Sequence, residues 1–276
     1  LMTIEEQLSF LLKNWTADGI FINFGDFPHG IYKSGIPILA GANVRGTPPD
    51  SCCIMDDSET VARLAAEHLI SRGYKRFAYC GIDLEWSHKR LGFFSGIIKN
   101  AGFKLSVFEY SETIQEWERM IHWLKGLSYP VALLACNDER AEDVIAACQT
   151  IGLKIPDDIA ILGVDNNPLL CEITYPQLSS ININLQETTF RGIRVLDKMM
   201  NGIAVQQKKI LTYATHVVGR QSTDKMLVND SLVYKAMNYI HNHQRNLIQV
   251  SDVASHVKIS NSELRKRFNR TINRSI

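Results

Sequence analysis

Three groups of polar side chains follow apolar runs that have the length and composition of β-strands. One group contains Arg90, a second is Asn137-Asp138, and the third begins at Asp165. Carboxylates and amides accept hydrogen bonds, and a planar guanidinium donates them in pairs. A single group of this kind is unremarkable, because Asn and Asp also cap helices and form turns. Three such groups after predicted strands form a pattern that marks a candidate site, although for each single residue a structural role is the more common one.

The sequence lacks the motifs on which common catalytic reactions depend. It has no Gly-rich phosphate loop, no G-x-S-x-G elbow and no metal-binding triad. The Asp and Asn groups also lack a histidine or lysine base at a defined spacing. The six cysteines form no C-x-x-C pair and have no histidine nearby at metal-ligand spacing. We therefore expect a binding protein without a cofactor or a metal, and not an enzyme.

Alternating strands and helices must position these polar groups. Amphipathic helices are predicted at 59–71, with Ser58 as its cap, and at 138–150, with Gly152 as its stop. Such alternation predicts parallel sheets with right-handed crossovers, which bind ligands at the carboxyl ends of their strands. Seven apolar runs are predicted as strands: 19–24, 35–40, 53–55, 76–81, 105–110, 131–136 and 159–164.

From about residue 229 the pattern becomes wholly helical. An apolar stripe runs from Leu232 to Ile240, and residues 250–268 follow with the pattern of a helix-turn-helix. Ser260 and Glu263 have the spacing of a capping box that starts the second helix of this motif. Four apolar side chains are predicted to face the core of the motif: Val253, Val257, Leu264 and Phe268.

Four polar residues are left on the outer face of that second helix: Asn261, Ser262, Arg265 and Lys266. Arginine and asparagine are suited to reading guanine and adenine in the DNA major groove. Residues 230–276 carry eight Lys and Arg against three Asp and Glu, although the whole chain has a net charge of only +1. This basic segment favours DNA binding, and an ordinary helical hairpin with a solvated basic face is the alternative.

The composition is that of a packed globular protein, with 45% apolar and 21% charged residues. No run approaches ~18 consecutive apolar residues, which excludes a membrane-spanning helix. The first residues lack a basic start and a small-residue cleavage site, so we expect no signal peptide. Several cysteines lie inside apolar runs, as reduced cysteines do. Together these features indicate the reducing cytoplasm.

Two parts of the sequence resemble two known families of bacterial transcription regulators. Most of the chain resembles the sensor domain of lactose-repressor-type regulators, through segments that keep that family's order: Asp18-Gly19-Ile20, His68-Leu69-Ile70, Gly73, Arg90-Leu91-Gly92-Phe93, Ala135-Cys136-Asn137-Asp138, Gly152-Leu153, Ile155-Pro156-Asp157-Asp158 and Gly163-Val164-Asp165-Asn166. The C-terminal segment resembles the first helix-turn-helix of arabinose-regulator-type activators, through Ile259-Ser260, Ser262, Leu264 and Lys266-Arg267-Phe268. This pairing is similar to that of the bacterial xylose-operon activators.

The resemblance implies an α/β fold: a bilobal, periplasmic-binding-protein-like (type I) sensor with two doubly wound parallel sheets, followed by an all-α helix-turn-helix segment. The sensor would span 1–222 and have two lobes joined by three crossover strands. Lobe one would be about 1–56 plus 183–205, and lobe two about 57–182 plus 206–222. A linker at 223–229 would lead to the first half of a DNA-binding domain at 230–276. The family's first strand–helix–strand unit and its second helix-turn-helix have no counterpart here, so we expect a chain truncated at both ends.

The resemblance also implies which residues bind a sugar between the lobes. Three side chains would contact its hydroxyl groups: Arg90, Asn137 and Asp165. Trp117, on the helix after 105–110, would stack on the apolar face of a pyranose. Trp86 is expected in a loop before Arg90, either as a lid or as loop packing. Asp138 is a further candidate, with a helix N-cap as the alternative.

The function implied is a transcription activator that senses a monosaccharide, D-xylose or another aldopentose. Its partners would be double-stranded operator DNA, RNA polymerase and a second copy in a homodimer. The sugar would act through its different affinities for the open and closed sensor. The alternative is a sugar-binding receptor of a transport system with the same fold, against which the free cysteines and the helix-turn-helix argue.

Overall fold

The computed structural model describes residues 4–13, 16–33, 35–108, 110, 115–206, 208–225, 227, 230–243, 247–272 and 275–276. In chain order its elements are α1 (Ile4–Leu12), β1 (Ile20–Asp26), α2 (His29–Lys33), β2 (Ile38–Arg45), β3 (Cys52–Asp56), α3 (Ser58–Ser71), β4 (Arg76–Cys80), α4 (Glu85–Asn100), β5 (Lys104–Phe108), α5 (Glu116–Lys125), β6 (Val131–Ala135), α6 (Asp138–Thr150), β7 (Ile159–Asp165), α7 (Pro168–Ile173), β8 (Ser179–Ile183), α8 (Leu185–Met200), β9 (Lys209–Thr212), β10 (Ala214–Val218), a 3₁₀ turn (Gln221–Thr223), α9 (Ser231–Asn242), α10 (Val250–His256) and α11 (Asn261–Ile272). No helix within these ranges is long and apolar enough to cross a membrane.

The first sheet has four parallel strands in the order β1-β2-β3-β9. Its apolar side chains alternate between the two faces, as the period of a strand requires. Ile38 and Ala40 of β2 pack into one buried cluster, and Leu39 packs into another with Leu196 of α8. Both faces of the sheet are therefore covered, which is the usual condition of parallel strands.

The second sheet has the strand order β10-β8-β7-β6-β4-β5. Ala132 and Leu134 of β6 face the cluster that contains residues of α3 and α4. Leu133 and Ala135 face the cluster that contains residues of α5 and α6. The predicted α/β fold with parallel sheets is thus confirmed. One strand departs from it, because β10 runs antiparallel to β8 at the edge of the sheet.

The chain passes between the two sheets three times, after β3, after β8 and after β9. The prediction that all of residues 206–222 belong to the second lobe is wrong for the first part of this range, which contains β9. β9 pairs with β3 in the first sheet, with Ile210 opposite Ile54, and both side chains are buried. Because Ile210 is buried in the first sheet, the chain makes its third passage at Tyr213, between β9 and β10. The local sequence pattern did not indicate this position.

Two predicted element starts also shift. β2 begins at Ile38 and not at residue 35, because Gly35 has a φ of +88° and belongs to the preceding turn. α3 is capped by Asp57, whose carboxylate accepts from the Thr60 backbone N–H at 3.1 Å, whereas Ser58 was the predicted cap. The Ser58 hydroxyl instead donates to the Asp56 carboxylate at 2.5 Å. In contrast, the predicted helix 138–150 has the bounds of α6, and Gly152 follows with a φ of +74°.

The last three helices pack around one apolar cluster. The Asp230 carboxylate caps α9 by accepting from the backbone N–H groups of Leu232 and Val233. The Ser260 hydroxyl accepts from the Glu263 N–H at 3.2 Å, which is one half of the predicted capping box. The Glu263 carboxylate is bonded to Arg267 of the next turn at 2.7 Å. The buried members of the cluster are Val233, Ala236, Met237, Val253, Ala254, Val257, Leu264 and Phe268.

The turn between α10 and α11 holds a lysine in a backbone conformation that favours glycine. Lys258 has a φ of +60°. Its N–H donates to the Ser255 carbonyl, and the next N–H, of Ile259, donates to the Ala254 carbonyl. These two bonds form a Schellman motif, in which glycine is usual because a Cβ is strained in the left-handed region.

Lys258→Gly should therefore raise the free energy of unfolding by about 0.5–1 kcal/mol, because relief of strain exceeds the entropy that glycine adds to the unfolded chain. Urea denaturation followed by circular dichroism measures the change. The matched control is Lys235→Gly in the exposed middle of α9, which should lower the free energy of unfolding by about 1 kcal/mol. Equal losses in both variants would show that Lys258 is not strained.

Candidate functional site

A cavity of about 270 Å³ lies between the two sheets, where β3, β6 and β7 end. This is the place at which open parallel sheets bind ligands. Four of the sequence-predicted site residues line it: Trp86, Arg90, Asn137 and Asp165. The first sheet supplies polar groups from the opposite side, among them Asn23, Asn43 and Asp56. We call this cavity the cleft.

Arg90 is the largest fully buried side chain of the molecule as described, with 2% of its surface exposed. Its Nη2 donates to the Asp56 carboxylate at 2.7 Å, and its Nη1 donates to the carbonyl of Cys136. Burial alone would lower the pKa of the guanidinium, but Asp56, with Tyr79 and Asp165, outweighs this effect and raises the pKa above its ordinary value. Arg90 is therefore a permanent cation at the wall of the cleft.

One donor of Arg90 is left without a partner. Its Nε is buried and makes no hydrogen bond to any residue that the structure describes. A buried, unsatisfied donor costs about 1–3 kcal/mol, and more when it belongs to a charged group. An acceptor that entered the cleft and reached this atom would recover that energy.

Trp86 lies against Arg90, with the guanidinium carbon 4.9 Å from the ring centroid. The sequence prediction placed Trp86 in a loop, but α4 begins at Glu85, so Trp86 is in the first turn of that helix. The loop is short because the Ser87 hydroxyl accepts from the Ile82 N–H at 3.1 Å. The helix holds the indole in place over the guanidinium, a favourable arrangement of a cation and an aromatic face.

Trp86 also connects the two sides of the cleft. Its Nε1 donates to the Asn43 side-chain oxygen at 2.9 Å, and Asn43 belongs to β2 of the first sheet. The Asp56–Arg90 pair makes a second connection, from the end of β3 to α4. Among the described residues, the Trp86–Asn43 hydrogen bond and the Arg90–Asp56 ion pair thus bridge the cleft.

Asp165 ends β7 in a conformation that few non-glycine residues adopt. Its φ is +109°, and Asn166 after it has a φ of +53°. Two hydrogen bonds hold Asn166 in place. Its backbone N–H donates to the Ser180 hydroxyl, and its side-chain oxygen accepts from the Arg220 guanidinium. Strain at such a position persists only where the surroundings enforce it, and it is common at binding sites.

The carboxyl group of Asp165 has an altered proton affinity. Burial raises its pKa from the ordinary value to about 7, and nearby Asp138 and Asp56 add to the rise, while Arg90 opposes it. Part of the side chain faces the cavity, but the protein around the carboxylate excludes most of the solvent that would stabilise its charge. Asp165 can therefore both accept hydrogen bonds and change its charge near neutral pH.

The neighbouring residues Asn137 and Asp138 have different environments. Asn137 lines the cleft and is also the N-cap of α6, since its side-chain oxygen accepts from the Arg140 N–H at 2.9 Å. Asp138 is 1% exposed and is not among the cleft residues. Its carboxylate accepts from the Ser180 hydroxyl at 2.6 Å and from the Asn167 N–H at 2.7 Å. These bonds connect the residues that follow β6 and β7 with each other and with the start of β8.

Trp117 is not brought to the cleft in this structure. It lies on α5 with 41% of its surface exposed, and it is absent from the described lining. The four residues predicted to read DNA are all exposed on α11, which begins at Asn261, the first of them. Leu264 and Phe268 on the opposite face of α11 are buried in the helical cluster, as their spacing predicts.

Sequence reasoning missed the side of the cleft that the first sheet provides. Asp56 directly follows the predicted strand 53–55, and the rule that selected Asn137 and Asp165 would have selected it too. Asn23 and Asn43 lie within strands, and no local pattern marks them. The structure shows no group of three or more His, Cys, Asp or Glu side chains, among the residues that it describes, that could hold a metal ion. All six cysteines are free and buried.

Comparison with known proteins assigns this architecture to a family. The sequence profile described as periplasmic binding protein-like domain matches residues 66–223, which is more than half of the chain. Xylose operon regulatory proteins of Haemophilus influenzae and Escherichia coli K12 are 28% and 26% identical, over 96% of this chain and 72% and 71% of theirs. A solved xylose-binding transcription activator has the same fold, with a TM-score of 0.66 and 22% identity over 99% of this chain and 80% of that one. The chain belongs to the periplasmic binding protein-like domain family.

Proposed function

We propose that this protein is a sugar-responsive transcription regulator that binds a monosaccharide in the cleft and operator DNA through α10 and α11. The observation that supports it best is Arg90, a buried, charged side chain that lines the cleft and whose Nε donor has no partner among the described residues. Ring and hydroxyl oxygens of a sugar are acceptors of the kind that this donor lacks. The similar proteins are named as regulators of xylose operons and not as enzymes.

The chemistry of the cleft suits a small sugar. Its volume corresponds to about nine water molecules at ~30 Å³ each, which is room for one monosaccharide ring. The Asp165 carboxylate can accept from two adjacent hydroxyl groups, and Asn43 and Asn137 offer both donors and acceptors. The named function of the relatives leads us to propose an aldopentose, D-xylose foremost.

For the organisation of the chain, we propose a sensor at residues 1–222 and a helix-turn-helix segment at 230–276. With the third passage corrected, lobe one would be about 1–56 plus 184–212 and lobe two about 57–183 plus 213–222. The sugar would stabilise the closed arrangement of the lobes through its contacts with both. We propose that the regulator works in the cytoplasm as a homodimer on two DNA half-sites and, as an activator, also contacts RNA polymerase.

Calorimetric titration of the chain with D-xylose, L-arabinose, D-ribose and D-glucose tests the sensor. We expect D-xylose to bind in one-to-one ratio and more tightly than D-glucose, because the similar regulators are named for xylose operons. The control is Asn201→Ala, an exposed change on the far end of α8 that should leave the affinity unaltered. Failure of every sugar to bind would refute the sensor, whereas sugar binding without any affinity for duplex DNA would favour a transport receptor.

DNA recognition makes a separate prediction for two adjacent residues of α11. Arg265 and Lys266 differ by about 100° around the helix, so they face different parts of a duplex. Arg265→Ala should cost about 1–3 kcal/mol on selected sites and relax the preference at one base pair. Lys266→Ala should weaken binding to all sequences alike and reduce the salt slope by about one. Selection from a random duplex pool measures both, and unchanged preference in Arg265→Ala would contradict this assignment.

A further inference from the structure

An open groove of about 980 Å³ lies between α11 and the turn that joins α3 to β4 in the sensor. Lys75, in the turn between α3 and β4, stands on the sensor side of this groove. Lys266, Arg267 and Arg270 stand on the α11 side, together with Asp230 and Glu263. We call this space the basic groove.

The charges of the basic groove do not cancel. Arg267 donates to the Asp230 carboxylate from Nη1 and to the Glu263 carboxylate from Nε, both at 2.7 Å. Both acids are therefore engaged by a single arginine. Lys75, Lys266 and Arg270 form no ion pair with any described residue, and the Lys75 ammonium group lies 5.1 Å from the ring centroid of Phe103. Three cations thus remain free to bind an anion.

Two described residues that precede α9, Lys225 and Leu227, contact the sensor side of the groove. The Leu227 N–H donates to the Arg72 carbonyl at 2.7 Å. A Cβ on Gly73 would lie 2.4 Å from the Leu227 carbonyl oxygen, so Leu227 is in close contact with the turn that carries Lys75. Lys225 adds an ion pair with Asp157 of the sensor at 2.7 Å. On the other wall, Asp230 caps α9 and pairs with Arg267 of α11.

We propose that the phosphate backbone of one DNA strand occupies the basic groove, and that Lys75 of the sensor is a phosphate contact. The proposal rests on DNA binding by α11. A helix in the major groove has phosphates along its flanks. Lys266 and Arg270, one turn apart, form the flank of α11 that faces the sensor, while Arg265 points to another side. The strand on that flank would pass between α11 and Lys75, within reach of both.

The test is the salt dependence of binding to a fluorescent, random-sequence 40-base-pair duplex, measured by anisotropy with the whole chain. Each phosphate contact adds about 0.9 to the slope of log affinity against log salt. Lys75→Gln should lower the slope by about 0.9, and Lys75→Arg should keep it, because the positive charge is retained. Lys198→Gln, which removes an exposed lysine from α8, is the control for net charge and should match the unmodified chain.

A Lys75→Gln slope equal to that of Lys198→Gln would overturn the proposal while leaving DNA binding by α11 intact. Labelled polyglutamate provides a second measurement. If Lys75→Gln weakens binding of polyglutamate but not of the duplex, the groove takes an acidic protein segment and the proposal is wrong. Absence of duplex binding in the unmodified chain would overturn both the proposed regulator and this inference.

Discussion

Arg90→Met should lower the free energy of unfolding by about 3–5 kcal/mol, because it leaves a carboxylate without its cation in a buried position. The Asp56 side chain is only 11% exposed and loses its bond to Arg90 Nη2. The Cys136 carbonyl loses the donor Nη1 at the same time. Urea denaturation of the sugar-free protein, followed by circular dichroism, measures the loss.

A second substitution distinguishes the stability lost with the ion pair from the stability lost with packing. Arg90→Met combined with Asp56→Asn removes the unpaired charge, so we expect part of the stability to return. Arg63→Met is the matched control, since its pair with Glu67 joins two half-exposed side chains and contributes about 0–1 kcal/mol. If Arg90→Met and the control unfolded at the same urea concentration, the result would contradict a stabilising role of the buried ion pair.

Asp165→Asn should stabilise the sugar-free protein at pH 8 and weaken its affinity for sugar. Burial raises the pKa of Asp165 to about 7, whereas in the unfolded chain the group ionises near pH 4. The stability that depends on protonated Asp165 is therefore fully present below about pH 4 and is lost as the pH rises through about 7. Above that pH an ionised, largely buried carboxylate opposes folding, and an amide of the same shape does not.

The expected gain at pH 8 is about 2 kcal/mol, after discounting for the part of the carboxylate that faces water. At pH 4 the variant and the unmodified protein should be equally stable, since both carry a neutral side chain. The affinity for sugar at pH 8 should fall by about 1.5–3 kcal/mol, the range for hydrogen bonds to a charged group.

Thermal melts across pH 4–8 and calorimetry with D-xylose give the two quantities for Asp165→Asn. Asp50→Asn, an exposed substitution outside the cleft, should change neither. A pH-independent difference between Asp165→Asn and the unmodified protein would show that Asp165 is not titrating in this range. An unchanged sugar affinity would place Asp165 outside the binding contacts.

Local patterns in the sequence determined much of the fold. The apolar runs that became β4, β6 and β7 are short and continuous, which is what strands buried on both faces require. The amphipathic period of α6 and the positive φ of Gly152 are likewise properties of neighbouring residues, so the bounds of α6 could be predicted. The same is true of Asn137 and Asp165, which line the cleft because polar residues that end adjacent parallel strands meet at one edge of the sheet.

Only the tertiary structure decided how these elements face one another. The partner of Arg90 is Asp56, 34 positions away, and that of Trp86 is Asn43, 43 positions away. β9 joins the first sheet by pairing with β3, which lies more than 150 residues earlier in the chain. No local pattern connects these two strands. Hydrophobic periodicity records which face of an element is buried, but it carries no information about what that face packs against. The pairings that bridge the cleft therefore depend on how the two sheets are packed.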